Sequence, residues 1–212
     1  MVYASPRRWD IGDAISAGWR LFWPNILPMG LFALVVVVVN SVLTWITPAD
    51  AGFFVASVFW LVQLLVTQLI TIGWIGLALD IVDGKPVSAE RIMSRFNVVV
   101  PFLIASLLFS IGLYVGLLLL IVPGIVFALI FYFYSYSIVD TGEGNPIAAL
   151  QHSARLTRGH RVQLFGLFVL LVLINIIGVL ALVVGVLITM GISLLAVAYV
   201  YRQLSGSQRT LA

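Results

Sequence analysis

The stretch Asn145-Pro-Ile-Ala-Ala-Leu-Gln-His-Ser-Ala-Arg-Leu-Thr-Arg-Gly-His-Arg161 is a polar, basic island between two runs too apolar for water. Asn145 is a good N-cap, Pro146 a good first helical residue, and Gly159 a stop. Ile147, Leu150 and Ala154 fall on one stripe of that helix, with Arg155 and Arg158 beside it. The pattern predicts a short amphipathic helix over 146–158, lying on a membrane surface.

Two other stretches share its skeleton of Ala, five residues, Arg and a large apolar residue: Ala14 to Arg20-Leu21 and Ala89 to Arg95-Phe96, matching Ala149 to Arg155-Leu156. Each is followed by a long hydrophobic segment. A duplicated unit and a chance recurrence both fit three matches at one spacing.

Composition settles what solvent the chain is built for. Its 212 residues are 62% hydrophobic and 9% charged, with mean hydropathy +1.17, against roughly 25% charged residues in ordinary soluble domains. Runs such as 117–122 and 167–174 offer no polar side chain to water, so the bilayer is the medium that makes them stable. One membrane domain over 1–212 is the simplest division. Cysteine is absent, which removes disulfides, thiolate metal sites and cysteine nucleophiles. The net charge of +3 forms no soluble basic patch with a fold of its own, so nucleic acid is not expected as a partner. Arg7, Arg8, Asp10, Asp13 and Arg20 crowd the first twenty-four residues, so no cleavable signal peptide is expected and the first span is retained.

The fold class that follows is an all-α polytopic membrane protein: six transmembrane helices arranged as three hairpins, each preceded by an amphipathic surface helix. Residues 1–24 form the first interfacial helix, with 87–96 and 146–158 as the others. The spans are expected at 26–46, 53–79, 98–116, 120–139, 162–179 and 183–201. Neither of the two long apolar blocks contains a polar loop. Their reversals are expected nearer Gly116 and Gly178, with Pro123 kinking or starting the return helix and 117–120 forming an apolar turn. The pairs Gly112 and Gly116, Ala181 and Gly185, and Gly73 and Gly76 read as close-packing positions. Phe131, Tyr132, Phe133, Tyr134 and Tyr136, with Tyr199 and Tyr201, read as an interfacial aromatic belt or as the lining of a lipid or ligand groove.

All eleven lysines and arginines fall in the terminal and long connecting segments that six spans place on one side. By the positive-inside rule both termini are cytoplasmic, and only 47–52 offers an appreciable polar segment outside. Arg20, Arg95, Arg155, Arg158 and Arg161 are the candidate basic surface for lipid or a partner, each charge adding about 1 kcal/mol of attraction to an anionic leaflet. Gln63, Thr67 and Thr71 recur every four residues as a candidate intramembrane polar stripe. They suit a substrate path or interhelical hydrogen bonds worth roughly 0.6 to 2 kcal/mol each. The second use is favoured, because no ionisable side chain lies near the middle of any span.

His152, His160, Asp140 and Glu143 have no ligand spacing such as H-E-x-x-H, and no serine sits in a G-x-S-x-G context. No catalytic, cofactor-binding or metal residue is therefore expected. The resulting expectation is a non-enzymatic integral membrane protein that organises lipid or a partner at the cytoplasmic face. Its partners would be membrane lipids and a membrane or cytosolic protein or a second copy of itself. The alternatives are a small-molecule, lipid or peptide transporter or export component using the polar stripe, and a lipid-headgroup enzyme using His152 and His160.

Two segments carry a resemblance. Leu118-Leu-Leu-Ile-Val-Pro-Gly-Ile125, then Asp140, then Ala149-Leu-Gln-His-Ser-Ala-Arg-Leu-Thr-Arg-Gly-His160 resemble the signature of YciC-like proteins and of the membrane domain fused to glycerophosphodiester phosphodiesterases. Ile147-Ala148 stand where that family often carries an acid. The resemblance implies a six-span prokaryotic inner-membrane protein of unassigned activity, without the phosphodiesterase domain among these residues.

Overall fold

The computed structural model describes residues 9–46, 52–180 and 182–209, and among them every regular element is a helix. Asp10 caps α1 (Ile11–Phe22), its carboxylate accepting from the Gly12 amide, the substitution for a missing intrahelical acceptor that N-caps provide. A 3-10 turn, Trp23–Asn25, leads into α2 (Ile26–Ile46), and α3 (Phe53–Val82) follows. Ser88 caps the short α4 (Ala89–Met93), which passes through a second 3-10 turn into α5 (Val99–Leu119). Then come α6 (Ile121–Phe131), α7 (Tyr134–Thr141), α8 (Pro146–Leu156), α9 (Arg161–Leu180) and α10 (Leu182–Arg209). Asn145 and Pro146 take the N-cap and N1 positions that the sequence predicts, with Asn145 Oδ1 accepting from the Ile147 and Ala148 amides.

Six stretches are long and apolar enough to cross a membrane: Ile11–Ile46, Phe53–Val82, Ala89–Leu119, Ile121–Thr141, Arg161–Leu180 and Gly185–Gly206. The chain is thus an all-helical, multi-pass membrane protein. Burial is concentrated at one end of the bundle, in the second half of α3, in α7, in the docked face of α1 and in the second half of α10. The other end exposes large apolar side chains along α2 and the first half of α3, such as Leu34, Val38, Phe54 and Trp60, which lipid tails solvate as well as another helix would.

Where burial gives no hydrophobic gain, close approach through small residues carries the packing. Gly18 of α1 lies against the Ile192 carbonyl and Ala196 of α10, and Gly112 of α5 against the Phe127 ring of α6. The reversals lie close to Gly116 and Gly178, at the α5–α6 and α9–α10 junctions, but neither glycine is itself the turning residue. A Cβ on Gly116 would sit 2.9 Å from Gly124 Cα, and one on Gly178 would run into Thr189, so both glycines are spent on helix contact. Accordingly α5 runs on to Leu119, the extended Leu120 (φ −166°, ψ 152°) makes the reversal, and Pro123 sits in the first turn of α6. Position 181, like 47–51 and the first eight residues, lies outside the described residues.

The aromatic cluster is also placed differently. Phe133, Tyr134, Tyr136 and Tyr201 are buried, with ring centroids 5.6 Å apart for Tyr136 and Tyr201 and 5.9 Å for Phe133 and Tyr201. They form an internal layer between α7 and α10, where offset rings add packing beyond their area, instead of an outward belt.

Candidate functional site

The basic island docks through its small polar face. Ala149, Ser153, Leu156 and Thr157 are buried, whereas Ile147 points outward. Beneath them the fourth span is broken: α6 stops at Phe131 and α7 restarts at Tyr134. A break in an apolar setting leaves peptide groups that lipid cannot satisfy. Here α8 supplies the partners. The Ser153 hydroxyl donates to the Ile130 carbonyl at 2.9 Å and accepts from the Phe133 amide at 3.0 Å, and the Thr157 hydroxyl donates to the same carbonyl at 3.1 Å. Beside them Ser137 Oγ and His152 Nδ1 are hydrogen bonded at 2.9 Å. Gly159, with φ +85°, turns the chain out of α8 in a conformation that side chains disfavour.

A few residues away lies an ionic network. Asp80 of α3 is fully buried, and Arg95 donates to both its oxygens, at 2.7 and 3.0 Å, the forked geometry that guanidinium makes with carboxylate. Arg91 approaches the same carboxylate at 3.9 Å. Gly76 makes the room, since a Cβ there would fall 2.6 Å from Arg95 Nη1. Arg202 of α10 bridges two further acids, Asp83 and Asp140, each at 2.7 Å. Lys85 adds a 2.7 Å contact to Asp83, and the Tyr201 hydroxyl donates to Asp140 at 3.1 Å. Burial opposes ionisation of Asp83, yet Lys85 and Arg202 outweigh it and hold its carboxyl below the ordinary 3.8. The ends of α3, α4, α7 and α10 are thereby tied together at the basic end of the bundle.

The sequence-predicted residues divide between uses. Arg95 is committed to Asp80, whereas Arg20, Arg155, Arg158 and Arg161 lie on the exposed surface. Gln63 and Thr67 are exposed, and Thr71 is half-buried. Within the stripe Thr67 donates to the Gln63 carbonyl and Thr71 to the Thr67 carbonyl, each at 2.8 Å. The interhelical bonds come from other polar residues: Gln68 to Ser106 of α5, and Asn175 of α9 to Ser193 of α10 at 2.8 Å. Asp140, Glu143, His152 and His160 have separate partners: Arg202, the Asn145 amide, Ser137 and Gln163. Among the described residues no three His, Asp or Glu side chains gather as metal ligands do.

A cleft of about 520 Å³ opens between α2, α3 and α10. Gly30, Ala33 and Val36 line one wall, Ile70, Thr71 and Trp74 the second, and Ile188 and Gly191 the third. Residues 92–208 match the family model described as a domain of unknown function, DUF7847. The chain belongs to that family. No curated protein and no solved structure matches it.

The DUF7847 match covers Arg95, the broken fourth span, α8 and Arg202, but not α1, α2 or α3. Two acids of the network, Asp80 and Asp83, and two walls of the cleft therefore come from outside the matched region. The sequence reading missed the network because each acid sits where an apolar block ends and reads as its boundary. The available signal was the spacing Gly73, Gly76, Asp80, Asp83, which puts two small residues and two acids on one stripe of a helix. Buried charge at the end of a span that pairs with charge from another is a recognisable membrane pattern.

Proposed function

We propose that this protein is a non-enzymatic membrane protein that organises lipid, or a partner held with lipid, at the cytoplasmic face of a prokaryotic inner membrane. The observation that carries the reading is a coincidence on one molecule: exposed arginines at positions 20, 155, 158 and 161, and a lateral apolar cleft adjoining the helix that bears Arg20. A basic end attracts anionic headgroups, and an apolar cleft open to hydrocarbon accepts tails. The polar groups between them are spent on holding helices together, as the Asp80, Asp83, Asp140 and Ser153 contacts illustrate.

The same proposal places both termini in the cytoplasm and treats α1, α4 and α8 as the surface helices of three repeated units. The likeness of segments 118–125 and 149–160 to the YciC-like proteins supports the inner-membrane setting. Purification in a mild detergent followed by native mass spectrometry and crosslinking tests the function. Retained lipid at fixed stoichiometry, or one reproducibly crosslinked protein, is expected. A bare protein with neither would overturn the reading.

A further inference from the structure

We propose that the cleft between α2, α3 and α10 seats one acyl tail of an anionic membrane lipid whose headgroup lies beside Trp19 and Arg20. The inference rests on the lipid side of the proposed function and assigns it a place. Its volume of about 520 Å³ lies within the roughly 300–1,000 Å³ of ligand clefts, and Thr71 is the polar side chain in a lining otherwise made of aliphatic, aromatic, Met and Gly residues. Its rim residues Ile26, Val37, Leu187 and Met190 are about half exposed, so the cleft opens onto the same apolar surface that faces the hydrocarbon. Water gains nothing there, and the medium available to fill it is lipid tail.

Length and ends agree with that occupant. The cleft follows the chain from Phe22 to Val37, about 22 Å of helix at ~1.5 Å per residue, more than half of a hydrocarbon core of roughly 30 Å. At its Phe22 end stand Trp19 and Trp23, 53% and 45% exposed with ring centroids 5.4 Å apart, the amphipathic rings that mark headgroup depth. Ile26, Gly30, Ala33 and Val37 recur at helical spacing along the cleft, and at its Phe22 end, before the 3-10 turn, the last turn of α1 begins with Trp19. Arg20 follows it, exposed, and among the described residues no carboxylate pairs with it. A long side chain at this depth can reach a phosphate while its stem stays apolar.

Gly30 lines the cleft, and a Cβ there would meet nothing within 4 Å, so Gly30→Leu starts its side chain in open space and extends it into the seat. The test uses the full chain in phosphatidylcholine nanodiscs containing phosphatidylglycerol with a diazirine in its tail. Photoadducts are expected to concentrate in 22–37, 70–74 and 187–191 over the outward apolar residues 117–122. Gly30→Leu, and independently Ala33→Phe, should cut cleft adducts about tenfold, the factor for roughly two unseated methylenes, and leave those at 117–122 unchanged. Arg20→Gln should bring the phosphatidylglycerol probe down to the level of a phosphatidylcholine probe with the same tail. Uniform labelling, or cleft labelling untouched by both filling variants, overturns the assignment. If purified protein retains lipid in that case, the lipid-organising reading stands without the cleft; if it retains none and no partner, both fall.

Discussion

Arg95 crosses the space left by Gly76 and forks onto the carboxylate of Asp80 at 2.7 and 3.0 Å. The pair joins the end of α3 to the 3-10 turn that enters α5, and it does so where Asp80 is fully buried. A pair of this kind adds little over an apolar replacement but is costly to break, because the remaining charge stays buried. Asp80→Asn is therefore expected to destabilise the protein by about 3–5 kcal/mol. Arg95→Lys, which keeps the charge and loses the fork, should cost less. Thermal unfolding in detergent, with exposed Asp13→Asn as reference, checks both; equal melting temperatures for Asp80→Asn and the reference would refute the claim.

Asp83 gives the network a pH dependence whose sign is fixed. Lys85 and Arg202 hold its folded carboxyl below the ordinary 3.8, against the burial that opposes them. A depressed carboxyl contributes stability that is complete above the unfolded value and disappears as pH falls through the folded one. The melting temperature should carry an Asp83 share that is constant at neutral pH and is lost below about pH 3.8. In Asp83→Asn that share is missing at neutral pH and the acid decline is shallower. A steeper acid decline in the variant would reverse the assignment.

Ser153 is expected to matter more than its size suggests, since one hydroxyl serves two peptide groups of the broken fourth span. Ser153→Ala leaves the Phe133 amide without that acceptor and the Ile130 carbonyl with Thr157 as donor. An unsatisfied buried group costs roughly 1–3 kcal/mol. Thr157→Val, which keeps the shape and the Ser153 bonds, should cost less. Hydrogen exchange read at residues 131–134 should accelerate in Ser153→Ala and change little in Thr157→Val; the opposite order would show that the break is held in another way.

Glycines separate contact from conformation. Gly116→Ala places a Cβ 2.9 Å from Gly124 backbone, whereas the same change at Gly30 meets nothing. Alanine in a helix interior gains about 0.5–1 kcal/mol over glycine when nothing obstructs it. Gly30→Ala should therefore raise the melting temperature and Gly116→Ala should lower it. Two shifts of the same sign would contradict the packing described for α5 and α6.

These residues also show what was legible in the sequence. The six apolar stretches and the start of α8 were readable because hydropathy and capping act locally, within a turn or across one bilayer thickness. The reversals were readable to within a few residues but their turning residues were not, because Gly116 and Gly178 looked like turn residues while the contacts that claim them come from Gly124 and Thr189, on the returning helices. Arg95 read as a surface cation for the same reason: its partner lies fifteen residues earlier, on a different helix. The face of α8 that docks was hidden by its composition, since Ala149, Ser153 and Thr157 are less apolar than the stripe through Ile147. Hydropathy finds the face that prefers hydrocarbon, whereas broken backbone selects the face that can hydrogen-bond.

The proposed orientation makes the last prediction. All eleven lysines and arginines lie in segments that six spans put on one side, and Arg202, Asp83 and Asp140 join three of the corresponding helix ends in space. If that end is cytoplasmic, positions 84, 143 and 207 are shielded from outside in intact cells and position 50 is reachable. The chain has no cysteine, so single replacements at Asp50, Gly84, Glu143 and Ser207 report one site at a time. An impermeant thiol reagent should label position 50 in intact cells and all four after permeabilisation. Labelling of 84, 143 or 207 in intact cells would invert the orientation, and the basic end would then face away from the leaflet it is proposed to organise.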